Sequence, residues 1–324
     1  GIVAAISAFN HPLNLIVHQL APAIATGCPV IVKPASATPL SCLDFVRLVH
    51  EAGLPEPWCQ TFIPETNALA ERLVTDPRIG FFSFIGSARV GWSLHHKLAP
   101  GTRSALEHGG VAPAIVDRSA DLDRIIEPMV KGGYYHAGQV CVSTQRIFVH
   151  AEIAAAFIER FTARVAALRV GDPVLAETEV GPLIQPREAD RVQAWIEEGV
   201  EAGGQLLLGG SRLSDTTLSP AVLLDPPREA RVSCEEAFGP LVSIYSLPVA
   251  FQASVFAQNI DVALAAADRL DASAVMVNDH TAFRTDWMPF AGRRSSGYGI
   301  GGIPYTMREL TQEKMIVLKR LSPR

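Results

Sequence analysis

Cys141 sits in the run Tyr134-Tyr135-His136-Ala137-Gly138-Gln139-Val140-Cys141-Val142-Ser143, and thirty-four positions upstream Glu107 sits in Leu106-Glu107-His108-Gly109-Gly110. A thiol and a carboxylate are a nucleophile and a base, a pairing suited to covalent attack on a carbonyl. Free cysteine is also a common core filler, but a cysteine after a Gly-Gln pair is poorly placed for that role alone. A free thiol with a pKa of about 8.5 is mostly protonated at neutral pH, so this nucleophile needs a base or a positive environment. Two further runs have chemical potential. Ile85-Gly86-Ser87-Ala88-Arg89-Val90-Gly91 follows an apolar stretch and opens a helical one, a junction whose unpaired N–H groups and dipole suit a phosphate or pyrophosphate. It lacks G-x-G-x-x-G spacing, and a Gly-Ser turn capping a helix explains it about as well. Lys33, in Lys33-Pro34-Ala35-Ser36-Ala37-Thr38-Pro39-Leu40, ends an apolar run at the edge where open α/β sheets bind ligands. It can hold a ribose hydroxyl or a phosphate there; the plainer alternative is an exposed lysine before a proline turn.

The elements around these residues alternate. Gly1 to Ile6 reads as a buried strand, Leu15 to Thr26 as a helix punctuated by Gly27-Cys28-Pro29, and Val30 to Val32 as the next strand. Ser41 to Ala52 has helical apolar spacing with Gly53 as its stop, Ile79 to Ile85 is a strand, and Arg89 to Leu98 a helix. This rhythm predicts an α/β fold with a parallel sheet covered by helices. After Gly110 a second α/β unit begins, with a helix over Asp121 to Ala137, a strand over Arg146 to Val149 and an amphipathic helix over Ile153 to Leu168. Glu313-Lys314-Met315-Ile316-Val317-Leu318-Lys319 reads as an exposed strand needing a neighbour or a charge guard.

Composition narrows the class. The 324 residues, 48% hydrophobic, suffice for more than one domain. A net charge of -5 from scattered acidic and basic residues gives no stripe for nucleic acid or an anionic membrane. The apolar stretch from Leu13 to Val32 is interrupted by His18, Gln19, Pro22 and Pro29, too broken for a membrane span, and no signal peptide is visible. Five scattered cysteines form no C-x-x-C pair, which predicts no metal site and a reducing, cytoplasmic location.

Taken in order, the motifs resemble those of the NAD(P)-dependent aldehyde dehydrogenase superfamily over nearly the whole chain. The matching runs are Ser7-Ala8-Phe9-Asn10-His11-Pro12, Lys33, Gly86-Ser87 with Gly91, Leu106 to Gly110, Gly138 to Cys141, Glu235-Glu236-Ala237-Phe238-Gly239-Pro240, and Pro289-Phe290-Ala291-Gly292-Arg293-Arg294-Ser295-Ser296-Gly297. The wording around Cys141 is nearest to the lactaldehyde and phosphonoacetaldehyde dehydrogenase-like branch. The resemblance implies a Rossmann-like parallel-sheet cofactor domain (1–108), an α/β catalytic domain (109–302) and a C-terminal segment with an oligomerisation strand (303–324) in a homodimer or homotetramer. It implies Cys141 as nucleophile, Glu107 as base and Asn10 as oxyanion donor, with Lys33, Ser36, Gly86, Ser87, Glu236 and Phe238 around NAD or NADP. The expected reaction forms a thiohemiacetal and then a thioester that water hydrolyses. CoA-acylating semialdehyde dehydrogenase chemistry and a non-catalytic scaffold are the alternatives. The first is disfavoured by Glu107, which thiolysis does not need; the second is suggested only by the shorter N-terminal part.

Departures from the pattern carry further expectations. Relatives of the family it resembles have a longer N-terminal part and extra residues near Ser246-Leu247, so the sequence reads as either a truncation or an omission of segments, which intact mass would separate. Ser36 stands where NAD-preferring relatives often have glutamate, so NADP is expected to be tolerated. Asn278 to Arg284 falls where relatives line the substrate entrance; His280 and Arg284 are candidates for an anionic aldehyde, against the alternative of a surface arginine.

Overall fold

The computed structural model describes residues 1–245, 252–270 and 272–316. The first sheet grows from strands β1 (Ile2–Ile6), β2 (Val30–Lys33), β3 (Cys59–Thr61), β4 (Ile79–Ile85) and β5 (Arg103–Glu107), alternating with helices α1 (Asn14–Ala25), α2 (Leu40–Glu51), α3 (Asn67–Val74) and α4 (Ala88–His95). These five strands are parallel, in the order β5-β4-β1-β2-β3. A β1 of Ile-Val-Ala-Ala-Ile fits this position because both faces are covered and no polar residue is tolerated. Val3 and Ala5 pack with Ile16, Leu20 and Ala23 of α1 and with Cys42 and Val46 of α2. Ala4 and Ile6, one residue out of phase, pack with Phe82, Phe84, Val74 and Leu94 on the opposite face.

The second sheet contains β6 (Ala112–Val116), β7 (Thr144–Val149), β8 (Gln205–Leu208), β9 (Ala221–Leu224), β10 (Leu241–Ile244), β11 (Gln252–Phe256) and β12 (Ala274–Val277), in the order β12-β11-β6-β7-β10-β9-β8. All neighbours are parallel except β8 with β9. Its helices are α5 (Leu122–Tyr134), α6 (Ala151–Ala166), α7 (Pro186–Glu201), the single turn α8 (Arg231–Cys234) and α9 (Ile260–Arg269). The expected α/β architecture with two mainly parallel sheets is present. Strand β7 begins two residues before the expected Arg146, because Thr144 and Gln145 are buried polar residues whose partners come from remote segments.

Late residues return to the first sheet. Strand β13 (Gly297–Tyr298) pairs antiparallel to β5, with Gly297 opposite Glu107, and α10 (Ile303–Leu310) packs on α1. β13 falls within 109–302 and α10 within 303–324, yet both lie against elements of 1–108. Glu313 to Ile316 form no strand and expose Met315 and Ile316 by 85% and 73%; Val317 to Lys319 of the expected oligomerisation strand lie outside the described residues, as do Ser246 and Leu247. Among the described residues no helix is long and apolar enough to cross a membrane, and no cluster of three or more His, Cys, Asp or Glu side chains could hold a metal.

Candidate active site

Parallel strands deliver their following loops to one edge, and here β1, β2, β4 and β5 all end beside one cavity. The cavity measures ≈ 640 Å³ and is lined by Asn10, Lys33, Ser36, Gly86, Ser87, Glu107, Cys141, Glu236, Phe238 and Arg284. His280 does not line it. Its Cβ lies against Gly132 of α5, and its Nδ1 accepts from the Ala282 N–H at 3.1 Å, so the ring stabilises a local turn.

Cys141 reaches the cavity by an abrupt stop in α5. The expected helix to Ala137 ends at Tyr134 because His136, Ala137 and Gly138 take left-handed φ values of 52°, 54° and 70°. Successive left-handed residues are costly unless the surroundings hold them. Gln139 supplies part of that hold: its amide donates to the His136 and Pro182 carbonyls, while its Oε1 accepts from the Ile184 N–H at 2.9 Å. A methyl group at Gly138 would run into the Gly239 carbonyl, so the turn lies directly on the Glu235–Pro240 segment. Asn10 Nδ2 donates to the Gln139 carbonyl at 2.9 Å; an amide nitrogen carries two hydrogens, leaving one for a developing alkoxide.

Burial dominates the electrostatics. It pushes the Cys141 thiol well above its ordinary value, with the Glu107 and Glu236 carboxylates adding to the rise and Arg284 opposing it. Burial also raises Glu107 to about 7 against the pull of Arg284, and Glu236 to about 8 against a Gly110 backbone hydrogen bond and Arg191. Burial therefore favours the Cys141 thiol over the thiolate, and Glu107 is divided between its protonated and ionised forms near neutral pH. Arg284 Cζ stands 3.9 Å from the centroid of the Phe290 ring, a cation–π contact at the cavity wall.

The other side of the cavity fits a dinucleotide. The first turn of α4 lies against His108, so a methyl at Gly91 would overlap the imidazole, whose Nδ1 meets the Gly86 carbonyl at 2.9 Å. That tight seat presents the helix N-terminus and its free N–H groups to the cavity. Lys33 is half-buried, its Nζ donates to the Pro34 carbonyl at 3.1 Å, and burial lowers its pKa. Glu236 is held where a methyl at Gly109 would strike its carboxylate, and its buried Oε1 has no hydrogen-bond partner among the described residues. An unpaired buried acceptor of this kind suits a ribose hydroxyl. Phe238, at φ 46°, presents its ring edge-on to Phe9 at 5.8 Å.

A sequence profile of the aldehyde dehydrogenase family matches residues 1–316. The chain belongs to the aldehyde dehydrogenase family. This is a family of NAD(P)-dependent oxidoreductases acting on aldehydes. The aldehyde dehydrogenase chain is 36% identical over 331 residues to a 3-sulfolactaldehyde dehydrogenase from Priestia aryabhattai, covering 98% of this chain and 69% of the relative. It is 35% identical to a lactaldehyde dehydrogenase from Methanocaldococcus jannaschii, covering 99% and 72% respectively. Among solved structures, a glyceraldehyde-3-phosphate dehydrogenase from M. jannaschii complexed with NADP superposes with a TM-score of 0.92 at 34% identity, covering 96% of this chain and 71% of that one. A Mycobacterium tuberculosis aldehyde dehydrogenase complexed with NAD+ gives 0.93 at 30% identity, covering 98% and 69%.

Sequence reasoning missed several residues of this aldehyde dehydrogenase's site. His11 lines the cavity, its ring 4.5 Å from His136, and burial, His136 and Arg284 together lower its pKa to about 4. Tyr135 and Gln139 also line the wall. His11 was legible only as the neighbour of Asn10; nothing in its spacing separates a cavity histidine from a surface one.

Proposed function

We propose that this chain oxidises a small anionic aldehyde to the carboxylic acid with NAD+ or NADP+, residues 1–108 forming the cofactor side and 109–302 the catalytic side. The observation that carries the reading is that Cys141, Glu107, Asn10 and Arg284 line one cavity with the helix start at Gly86-Ser87. Cys141 Sγ forms the C–S bond to the aldehyde carbon, its proton passing to Glu107 directly or through water. The second Asn10 amide hydrogen and the Cys141 backbone N–H hold the alkoxide oxygen. Lys33, Glu236, Phe238 and the helix start at Gly86-Ser87 would hold the dinucleotide, which would supply the hydride acceptor; loss of the hydride makes the carbon on Cys141 a thioester. Glu107, having passed the thiol proton on to solvent, then takes a proton from water, which attacks the thioester; the C–S bond breaks, the sulfur regains a proton and the acid leaves. Resolution by CoA has less support, because it has no use for a buried carboxylate beside the sulfur.

Arg284 is the proposed anchor for the anionic end of the substrate, with His11 beside it. The free state of all five cysteines supports a reducing, cytoplasmic setting. The test is NAD(P)H formation from a short anionic aldehyde and from a neutral one of equal length. Replacing Arg284→Met is expected to raise KM for the anionic substrate by about tenfold or more and to leave the neutral one nearly unchanged, as removal of a charge-assisted pair predicts. Absence of NAD(P)H from either aldehyde overturns the assignment.

A further inference from the structure

Glu107 faces two cavities. Besides the large one, a small void of ≈ 40 Å³ adjoins it, lined by His18 and Gln19 of α1, Ser83 of β4, Arg284 and Tyr298 among others. On the same measure a water needs about 10–15 Å³, so there is room for water. Four residues around this one void bear a buried polar atom with no partner among the described residues: Glu107 Oε1, Gln19 Oε1, His18 Nδ1 and Arg284 Nε. Gln19 is held firmly, its Nε2 donating to the Ile6 carbonyl, the Ser83 carbonyl and Ser83 Oγ at 3.1, 3.3 and 3.0 Å, so its oxygen cannot reorient to find a partner. Buried polar atoms without protein partners are normally satisfied by ordered water.

His18 links the void to an exposed carboxylate. His18 is 8% exposed, and its Nε2 lies 3.2 Å from Asp286 Oδ1, whose side chain is 63% exposed. A carboxylate there accepts from Nε2–H, which leaves Nδ1 as an acceptor at the void. Burial, and then Arg284, lower the His18 pKa against the opposing pull of Asp286, so the ring rests neutral more readily. A proton arriving at Nδ1 frees the one on Nε2 toward Asp286 without the ring remaining charged.

We propose that the small cavity holds water that carries the proton of thioester hydrolysis away from Glu107, with His18 as relay and Asp286 as outlet. The proposal rests on the acyl-enzyme reading above. In that step water forms a C–O bond to the acyl carbon and the C–S bond breaks; of the two protons released from water, one returns to the Cys141 sulfur and the other must reach solvent. Cys141 lines the large cavity and not the small one, so the small void offers a way out on the side of the carboxyl away from the sulfur. His18 and Asp286 are positioning residues, acting through Glu107.

The test uses the whole chain with p-nitrophenyl acetate, which acylates a reactive thiol without cofactor: the burst of nitrophenolate reports acylation and the steady rate reports deacylation. Loss of the burst in Cys141→Ser assigns it. Asp286→Asn, on the surface, and His18→Gln are each expected to keep the burst and slow deacylation by about tenfold, as loss of a proton-transfer partner predicts, with added imidazole restoring the rate. Deacylation equal to the parent's in both variants overturns the proposal. A slow rate that imidazole does not restore also overturns it, because the role would then be structural. A parent chain with no burst removes the acyl-enzyme reading itself, and the relay with it.

Discussion

At the scale of single residues, the buried carboxyl of Glu107 sets the expected pH behaviour. Its ionised form is the base, and its pKa is raised to about 7, so the hydrolysis rate should climb as pH rises through about 7 and flatten above it. Glu107→Gln is expected to slow the acylation burst, because it removes the acceptor of the thiol proton, and to lose about a hundredfold or more in turnover, the usual contribution of a general base; stopped-flow comparison of burst and steady rate checks it. The same shift has a stability consequence. Because the folded value lies above the ordinary 4.5, the folded state binds this proton more tightly than the unfolded state, and the contribution fades as pH rises through about 7. Thermal melts of Glu107→Gln against the parent should therefore favour the variant more at pH 8 than at pH 5. Ser36, at the wall of the large cavity, lacks the charge that would repel a 2′-phosphate. We expect NADP to be used, and Ser36→Glu to shift preference toward NAD. A parent preference for NAD above about a hundredfold, equivalent to about 2.7 kcal/mol, would falsify this.

At the scale of elements, the turn from Tyr134 to Gln139 brings Cys141, the proposed nucleophile, to the cavity. Gly138 combines φ 70° with contact against the Gly239 carbonyl, so Gly138→Ala meets both backbone strain and overlap. The expected cost is about 1–3 kcal/mol or more, with lost acylation, measured by urea unfolding and the nitrophenolate burst. This turn was invisible to helical periodicity. Apolar spacing carries the helix on to Ala137, whereas the remote Gln139, Ile184 and Gly239 contacts that stop it are long-range. By contrast, β4 over Ile79–Ile85 was read to the residue, because a strand buried among neighbours is an apolar run with sharp ends.

At the scale of the molecule, two sheets meet around one cavity and a late segment closes the first of them. β13 lies beside Glu107, and Trp92 Nε1 donates to the Ser295 carbonyl at 3.0 Å, tying that segment to α4. Exposed Met315 and Ile316 leave apolar surface near the C-terminus that a second copy can cover. We expect a homodimer or homotetramer by light scattering at micromolar concentration; a monomer there would count against it.

The residue types offered a nucleophile and a base, and the ordered motifs determined the family and with it the aldehyde-oxidising class; the roles expected of Cys141, Glu107 and Asn10 came with that resemblance. The residue types also determined the α/β alternation, because hydrophobic periodicity is local. Tertiary structure decided which candidates share a cavity: it brought Arg284 to the wall and turned His280 onto Gly132. It also decided the pKa of Glu107 and the neighbours of His18, because burial and through-space contact depend on segments hundreds of positions apart.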